Sequence, residues 1–144
     1  MRTISIINQK GGVGKTTTAV NLSAALAEAG KRVWLIDLDP QAHASLHLGI
    51  AIVVDETKMY DVLTGHDDLA TVIHAVDQNL WLSPSHIDLA AAEMELAGEV
   101  GREIILRDAM SKVDHEFDYV ILDCPPSLGV LTLNALTTAD EVFL

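Results

Sequence analysis

Residues 8–17 read Asn8-Gln9-Lys10-Gly11-Gly12-Val13-Gly14-Lys15-Thr16-Thr17. A glycine-rich phosphate loop of this kind needs a strand to aim it and a helix to follow it. Both flank the stretch: the apolar run Ile4-Ser5-Ile6-Ile7 precedes it, and a helical pattern over residues 16–29 follows. The opening turn of that helix points unpaired N–H groups and the positive end of its dipole at an anion. Glycines let the backbone approach phosphate oxygens without a clashing Cβ. Lys15 then reaches the β- and γ-phosphates, and Thr16 offers a hydroxyl to Mg²⁺.

The loop departs from the ordinary G-x-x-x-x-G-K-[ST] pattern in an informative way. Gln9 stands where that pattern has its first glycine, and Lys10 adds a second cation. Lys15 and the backbone amides already crowd the phosphates of the loop's own nucleotide. Lys10 is therefore either a solvated surface lysine or a contact to the nucleotide of a second, facing subunit.

Further along, Val33–Ile36, Leu80–Leu82 and Tyr119–Leu122 are nearly continuous apolar runs. Such runs are expected of parallel strands covered on both faces. A fifth begins at Val142-Phe143-Leu144. Helical periodicity lies between them. Residues 16–29 end at Gly30, Leu69, Val72, Ile73 and Val76 fall at i, i+3, i+4, i+7, and Leu106, Ala109, Met110 and Val113 repeat that spacing. Ser85 with Asp88 resembles a capping box opening a helix over 87–97. Residues 43–60 read as a loop with a short helix that moves with ligand. Alternating strands and helices specify an α/β fold of the P-loop NTPase type, a mostly parallel sheet with helices on both faces. No linker splits the chain, so residues 1–144 are expected to form one domain.

Two more strand ends carry carboxylates. Asp37-Leu38-Asp39-Pro40-Gln41 follows the second strand, at the sheet edge where α/β proteins hold ligands. Asp39 is expected to position an attacking water or a metal's water shell, and Asp37 to anchor the phosphate loop or that shell. The run Tyr119-Val120-Ile121-Leu122-Asp123 is a Walker B pattern, whose aspartate faces Mg²⁺. Cys124-Pro125-Pro126-Ser127 then stiffens the backbone beside it. The expected metal-facing set is thus Thr16, Asp39 and Asp123.

Bulk properties narrow the function classes. The net charge is −12, from 9 Lys+Arg against 21 Asp+Glu, and hydrophobic residues make up 49% of 144. Beyond Lys10 and Lys15 the basic residues are scattered, so no stripe marks a nucleic-acid interface in this stretch. Cys124 is the single cysteine. It fits a reducing, cytosolic setting, and it is read as core. His43 and His47 stand at i, i+4 without an evident third metal ligand. Glu93, Glu95, Glu99 and Glu103 read as a solvated acidic face. No leader pattern opens the chain, and no apolar run reaches the ~20 residues of a membrane span. Because Leu144 lies inside an apolar run, the chain is expected to be part of something longer or to have its last strand completed by a partner.

Taken together, these landmarks resemble the ParA-type partition ATPases, in the deviant-Walker class that includes MinD. They are Lys10–Thr17, Leu35-Ile36-Asp37-Leu38-Asp39-Pro40-Gln41, Tyr60-Asp61-Val62-Leu63, Asp118–Leu128 and Leu131-Thr132-Leu133-Asn134-Ala135-Leu136. The resemblance implies an ATPase that forms a homodimer on two ATP molecules. In it Lys10 is the signature lysine across the interface, and Lys10, Gly11, Gly12, Val13, Gly14, Lys15, Thr16 and Thr17 hold nucleotide. Lys10, Lys15 and Asp39 carry catalysis, with Asp39 orienting the water and Asp123 as the Walker B acid. It further implies a cytoplasmic, nucleoid-associated protein moving plasmid or chromosome cargo. A ParB-type partner stimulates hydrolysis, and the ATP-bound dimer grips DNA without sequence preference. The alternative is a MinD-like, membrane-associated positioning ATPase, which carries a terminal amphipathic helix. The iron-protein branch needs more cysteines than Cys124 to bridge a cluster. Members of the family usually continue well beyond this length, and the DNA-gripping residues and much of the adenine pocket are expected there. The family often has Gly-Asn after the Gln at position 41, where this chain has Ala42-His43.

Overall fold

The computed structural model describes residues 1–7, 14–49, 57–114 and 116–144. Six strands form one sheet: β1 (Arg2–Ile6), β2 (Val33–Asp37), β3 (His74–Asp77), β4 (Leu80–Ser83), β5 (Tyr119–Asp123) and β6 (Glu141–Phe143). Their order is β3-β4-β2-β5-β1-β6. All pairs are parallel except β3 with β4. The helices are α1 (Lys15–Glu28), α2 (His43–His47), α3 (Met59–Leu63), α4 (Leu89–Leu96), α5 (Ile105–Ser111) and α6 (Val130–Thr138).

Strand alternation sorts the core into two layers. Trp34, Ile36 and Leu38 with Val120 and Leu122 pack against buried residues of α3, α4, α5 and α6. Val33, Leu35 and Ile121 with Ile4 and Ile6 pack against Ala19 and Ala27 of α1 and Ala44 of α2. Every residue of β2 is buried. Each large side chain so placed contributes roughly 1.5–3 kcal/mol relative to exposure, which explains the unbroken apolar runs of the central strands. The five expected strands are all present, and the fold class is the expected one.

The pattern at Leu69, Val72, Ile73 and Val76 is a correction. It is not a helix but a 3-10 turn over Leu69–Val72 followed by β3. Leu69 and Val72 are buried in one layer, while Val76 packs on the other. A continuous helix would put all four on one face. The β3–β4 hairpin turns at Gln78 and Asn79, with Asn79 at φ +61. Asparagine tolerates that left-handed conformation.

Ser85 does not cap a helix either. α4 begins at Leu89, with Asp88 at the cap position and no side-chain cap bond. The acidic face is only partly solvated. The Glu93 carboxylate accepts the backbone N–H groups of Val130 (2.7 Å) and Leu131 (3.2 Å), capping α6 from a neighbouring helix. A Cβ on Gly129 would meet Glu93 Oε2 at 2.1 Å, so glycine lets the carboxylate reach the helix start. Glu95 accepts the Tyr60 hydroxyl at 2.7 Å, tying α4 to α3. Gly30, at φ +84, closes α1 as its C′ residue.

Candidate active site

The parallel register brings the carboxyl ends of three strands together: Ile6 pairs with Asp123, and Asp123 pairs with Asp37. Gly14, at φ +87, turns the chain into α1 as its first cap. That left-handed value favours glycine. Lys15 and Thr16 follow at the first turn, both buried. The Lys15 ammonium donates to Asp123 Oδ1 and lies 3.8 Å from Asp39 Oδ2. The Thr16 hydroxyl donates to Asp123 Oδ2 at 3.2 Å. Loop lysine, loop threonine and Walker B aspartate thus converge as the sequence predicts. Lys10, Gly11, Gly12 and Val13 lie outside the described residues. Thr17 is exposed one position on. With Thr16, His43, Leu46 and His47 it lines an open cleft of about 400 Å³.

Asp37 hydrogen-bonds at its own strand end and to α2, and the loop residues 8–13 it was expected to anchor lie outside the described residues. Oδ1 accepts the Asp39 N–H at 3.1 Å, and Oδ2 accepts the Ser45 N–H at 3.0 Å and the Ser45 hydroxyl at 2.7 Å. It therefore ties the β2 end to α2. Burial, aided by the charge of Asp123 and opposed by the Ser45 hydrogen bonds, pushes its carboxyl up to about 7. Between the ordinary carboxylate range and about 7, the folded chain keeps a proton here that the unfolded chain has released. Ionising Asp37 as pH rises toward and through 7 therefore costs stability. Asp123 is also raised by burial, with the neighbouring Lys15 pulling it back down.

Asp39 is almost fully buried, and its carboxylate accepts the Gln41 N–H at 3.0 Å. Among the described residues, Asp37, Asp39 and Asp123 set three buried carboxyls against one ammonium. Among the described residues no group of three His, Cys, Asp or Glu side chains forms a metal cage by itself. The set nevertheless fits Mg²⁺, a hard cation usually held by one or two carboxylates with waters and substrate phosphates. Thr16, Asp39 and Asp123 supply oxygen donors and uncompensated negative charge at one place. Cys124 is buried, and burial pushes its thiol up to about 12, so it packs as core rather than reacting.

Ser45 and Ser85, both buried, were not anticipated here. Ser85 carried a competing reading as a helix cap, and a lone serine in a short helix has no periodic signal.

The departure at Ala42 has a structural consequence. Ala42 sits at φ +57, ψ +32, in the left-handed region, immediately before α2. An L-residue with a Cβ is strained there by roughly 1–2 kcal/mol. Glycine removes the strain but adds ~0.4–1 kcal/mol of unfolded-chain entropy. Ala42→Gly is therefore expected to stabilise the protein by about 0.5–1 kcal/mol, read as a higher urea midpoint at unchanged m-value. A lower midpoint would mean the strain is not present.

Comparison with known proteins follows the same line. A family model described as an AAA domain, AAA_31, matches residues 1–144. The sporulation initiation inhibitor protein Soj of Bacillus subtilis is 51% identical over 98% of this chain and 56% of its own length. The chromosome-partitioning ATPase Soj of Treponema pallidum is 45% identical over 99% of this chain and 56% of its own length. A crystal structure of a cobyrinic acid a,c-diamide synthase from Mycobacterium smegmatis, with bound ATP analogue and magnesium, is 46% identical with a TM-score of 0.93. It covers 99% of this chain and 58% of that one. The chain thus spans little more than half the length of these relatives. Among the described residues no helix is long and apolar enough to cross a membrane.

Proposed function

The chain belongs to the AAA domain family AAA_31, and from that premise we propose that it is the ATP-binding part of an ATP-dependent dimerisation switch acting in plasmid or chromosome partitioning. One observation carries this reading: Lys15, Thr16, Asp39 and Asp123 meet, buried, at the carboxyl ends of β1, β2 and β5. Residues 1–144 form one ATPase domain on this reading. Backbone amides over residues 11–17 cradle phosphate oxygens, and Lys15 exchanges its carboxylate partners for the β- and γ-phosphates. Thr16, Asp39 and Asp123 would hold Mg²⁺, which supplies charge neutralisation at the phosphates. Asp39 orients the water that attacks the γ-phosphorus as the bond to the bridging oxygen breaks, giving ADP and phosphate.

Lys10 extends to the nucleotide of a facing copy and makes dimerisation conditional on ATP. The relatives' partitioning role supports a cytoplasmic, nucleoid-associated setting with a ParB-type stimulating partner. It does not favour the MinD-like alternative or a membrane partner. Non-specific DNA binding belongs to the longer protein, because this chain carries a net charge of −12.

Substitution of Lys10 tests the switch. In sedimentation velocity with Mg·ATP, the wild-type protein should shift to a dimer. Lys10→Ala should remain monomeric while still binding Mg·ATP within about threefold. ATP-driven dimerisation that survives in Lys10→Ala would remove the switch from the reading. Absence of saturable Mg·ATP binding in the wild type would remove the ATPase itself.

A further inference from the structure

Around Asp39 lies a hydrogen-bond network that the loop and Walker motifs do not account for. The Asp39 peptide is held from both sides. Its N–H donates to Asp37 Oδ1 at 3.1 Å, and its carbonyl accepts the Ser85 hydroxyl at 2.5 Å. The two holds meet at Ser45. The Ser45 hydroxyl donates to Asp37 Oδ2 at 2.7 Å and accepts the Ser85 N–H at 2.9 Å. Three separate segments are thereby joined: the end of β2, helix α2, and the chain leaving β4. Asp37, Ser45 and Ser85 are all buried, so water does not compete for these bonds.

Helix α2 presents its other side, through His43, Leu46 and His47, to the cleft that Thr16 and Thr17 line. Among the described residues, α2 is tied to Asp39 through this network and through the turn in which the Ala42 N–H donates to the Asp39 carbonyl at 2.8 Å and the Gln41 N–H to its carboxylate at 3.0 Å. The Asp39 carbonyl therefore accepts from both α2's own turn and Ser85. Removing Ser85's hydroxyl leaves the turn and the Asp37 hold but cuts the tie to the chain leaving β4.

We propose that Ser85 and Ser45 are positioning residues that fix the Asp39 carboxylate for hydrolysis and couple it to the placement of α2. The proposal rests on the ATPase reading above and adds its regulation: nucleotide in the Thr16–His47 cleft sets Asp39 through two buried hydroxyls. Neither serine touches the reacting atoms. Their removal should lower turnover without lowering nucleotide affinity, because on that reading Lys15 binds the phosphates and Thr16 and Asp123 would hold the Mg²⁺ without either serine.

The test compares wild type, Ser85→Ala, Ser85→Thr and Ser45→Ala, with Ser5→Ala as a control. Ser5 donates a buried hydroxyl to the Ala135 carbonyl at 3.0 Å, away from Asp39. Two quantities are read: kcat with the Kd for Mg·ATP, and amide hydrogen exchange of residues 38–46 in the nucleotide-free protein. Ser85→Ala and Ser45→Ala should lower kcat about tenfold or more with Kd within threefold, and should speed exchange at the Asp39 and Ser45 amides about tenfold. Ser85→Thr should retain most of both, and Ser5→Ala should change neither. Wild-type kcat and exchange in the two alanine variants would overturn the proposal and leave the ATPase reading standing. Equal effects in Ser5→Ala would also overturn it, by showing a general loss of stability. No turnover in the wild type would overturn both.

Discussion

Lys15→Ala is expected to destabilise the fold by about 3–5 kcal/mol near pH 8 and to weaken Mg·ATP binding at least 100-fold. The stability effect follows from burial. The Lys15 side chain has no exposed surface, and neither has its ion-pair partner Asp123. Removing one member of a buried pair leaves an uncompensated charge, with a cost of roughly 3–5 kcal/mol. Among the described residues, the Thr16 hydroxyl is the one donor left to the Asp123 carboxylate. Against a total stability of about 5–15 kcal/mol for a domain of ordinary size, that loss is severe.

The loss should also depend on pH, with a definite sign. Burial already raises the Asp123 carboxyl, and Lys15 is the chief influence holding it down. Without Lys15 the folded-state carboxyl rises further above its unfolded value. The cost of ionising it is then present at pH 8 and relieved as pH falls and the group takes a proton. Asp37 contributes a slope of the same sign in both proteins, and because the charge of Asp123 helps to raise it, the difference between them reports the Asp37–Asp123 pair. Urea unfolding at pH 5.5 and pH 8 should show a gap between wild type and variant that widens at the higher pH. A gap below about 1 kcal/mol at both values would mean that the Lys15–Asp123 pair is not the anchor described here.

How much of this was readable beforehand depended on the kind of signal. The strands β2, β4 and β5 carry unbroken apolar runs because both of their faces are covered, and Asp37 and Asp123 end two of them abruptly. Such contrasts survive in one dimension. The meeting of Lys15, Thr16 and Asp123 was legible because a glycine-rich turn and a strand-end aspartate each have a fixed place in a parallel sheet. β3 was not, since apolar residues at Leu69, Val72, Ile73 and Val76 match helical spacing while serving two different layers. Glu93 and Ser85 escaped for another reason. Each bonds a backbone group far away in sequence, Val130 and Asp39 respectively, and composition carries no trace of such a partner.

Asp39→Asn is expected to lower ATP turnover by about 10²–10⁴-fold, the range typical of a lost general base. Mg·ATP binding should stay within a few fold. The substitution suits the question because asparagine keeps the shape and one acceptor oxygen, which can still take the Gln41 N–H that Asp39 now holds at 3.0 Å. It also removes one negative charge from a cluster of three buried carboxyls and one ammonium, so folding should not suffer. Two roles for Asp39 are separable this way. If its carboxylate orients the attacking water, raising Mg²⁺ will not restore kcat, because the missing function is a proton acceptor at fixed distance from the phosphorus. If it only strengthens the metal's hold, the variant will need more Mg²⁺ and recover near-normal kcat at saturation. Turnover measured across a wide Mg²⁺ range decides between them. Full recovery would move Asp39 out of the catalytic step and leave it, with Thr16 and Asp123, as part of the metal's surroundings alone.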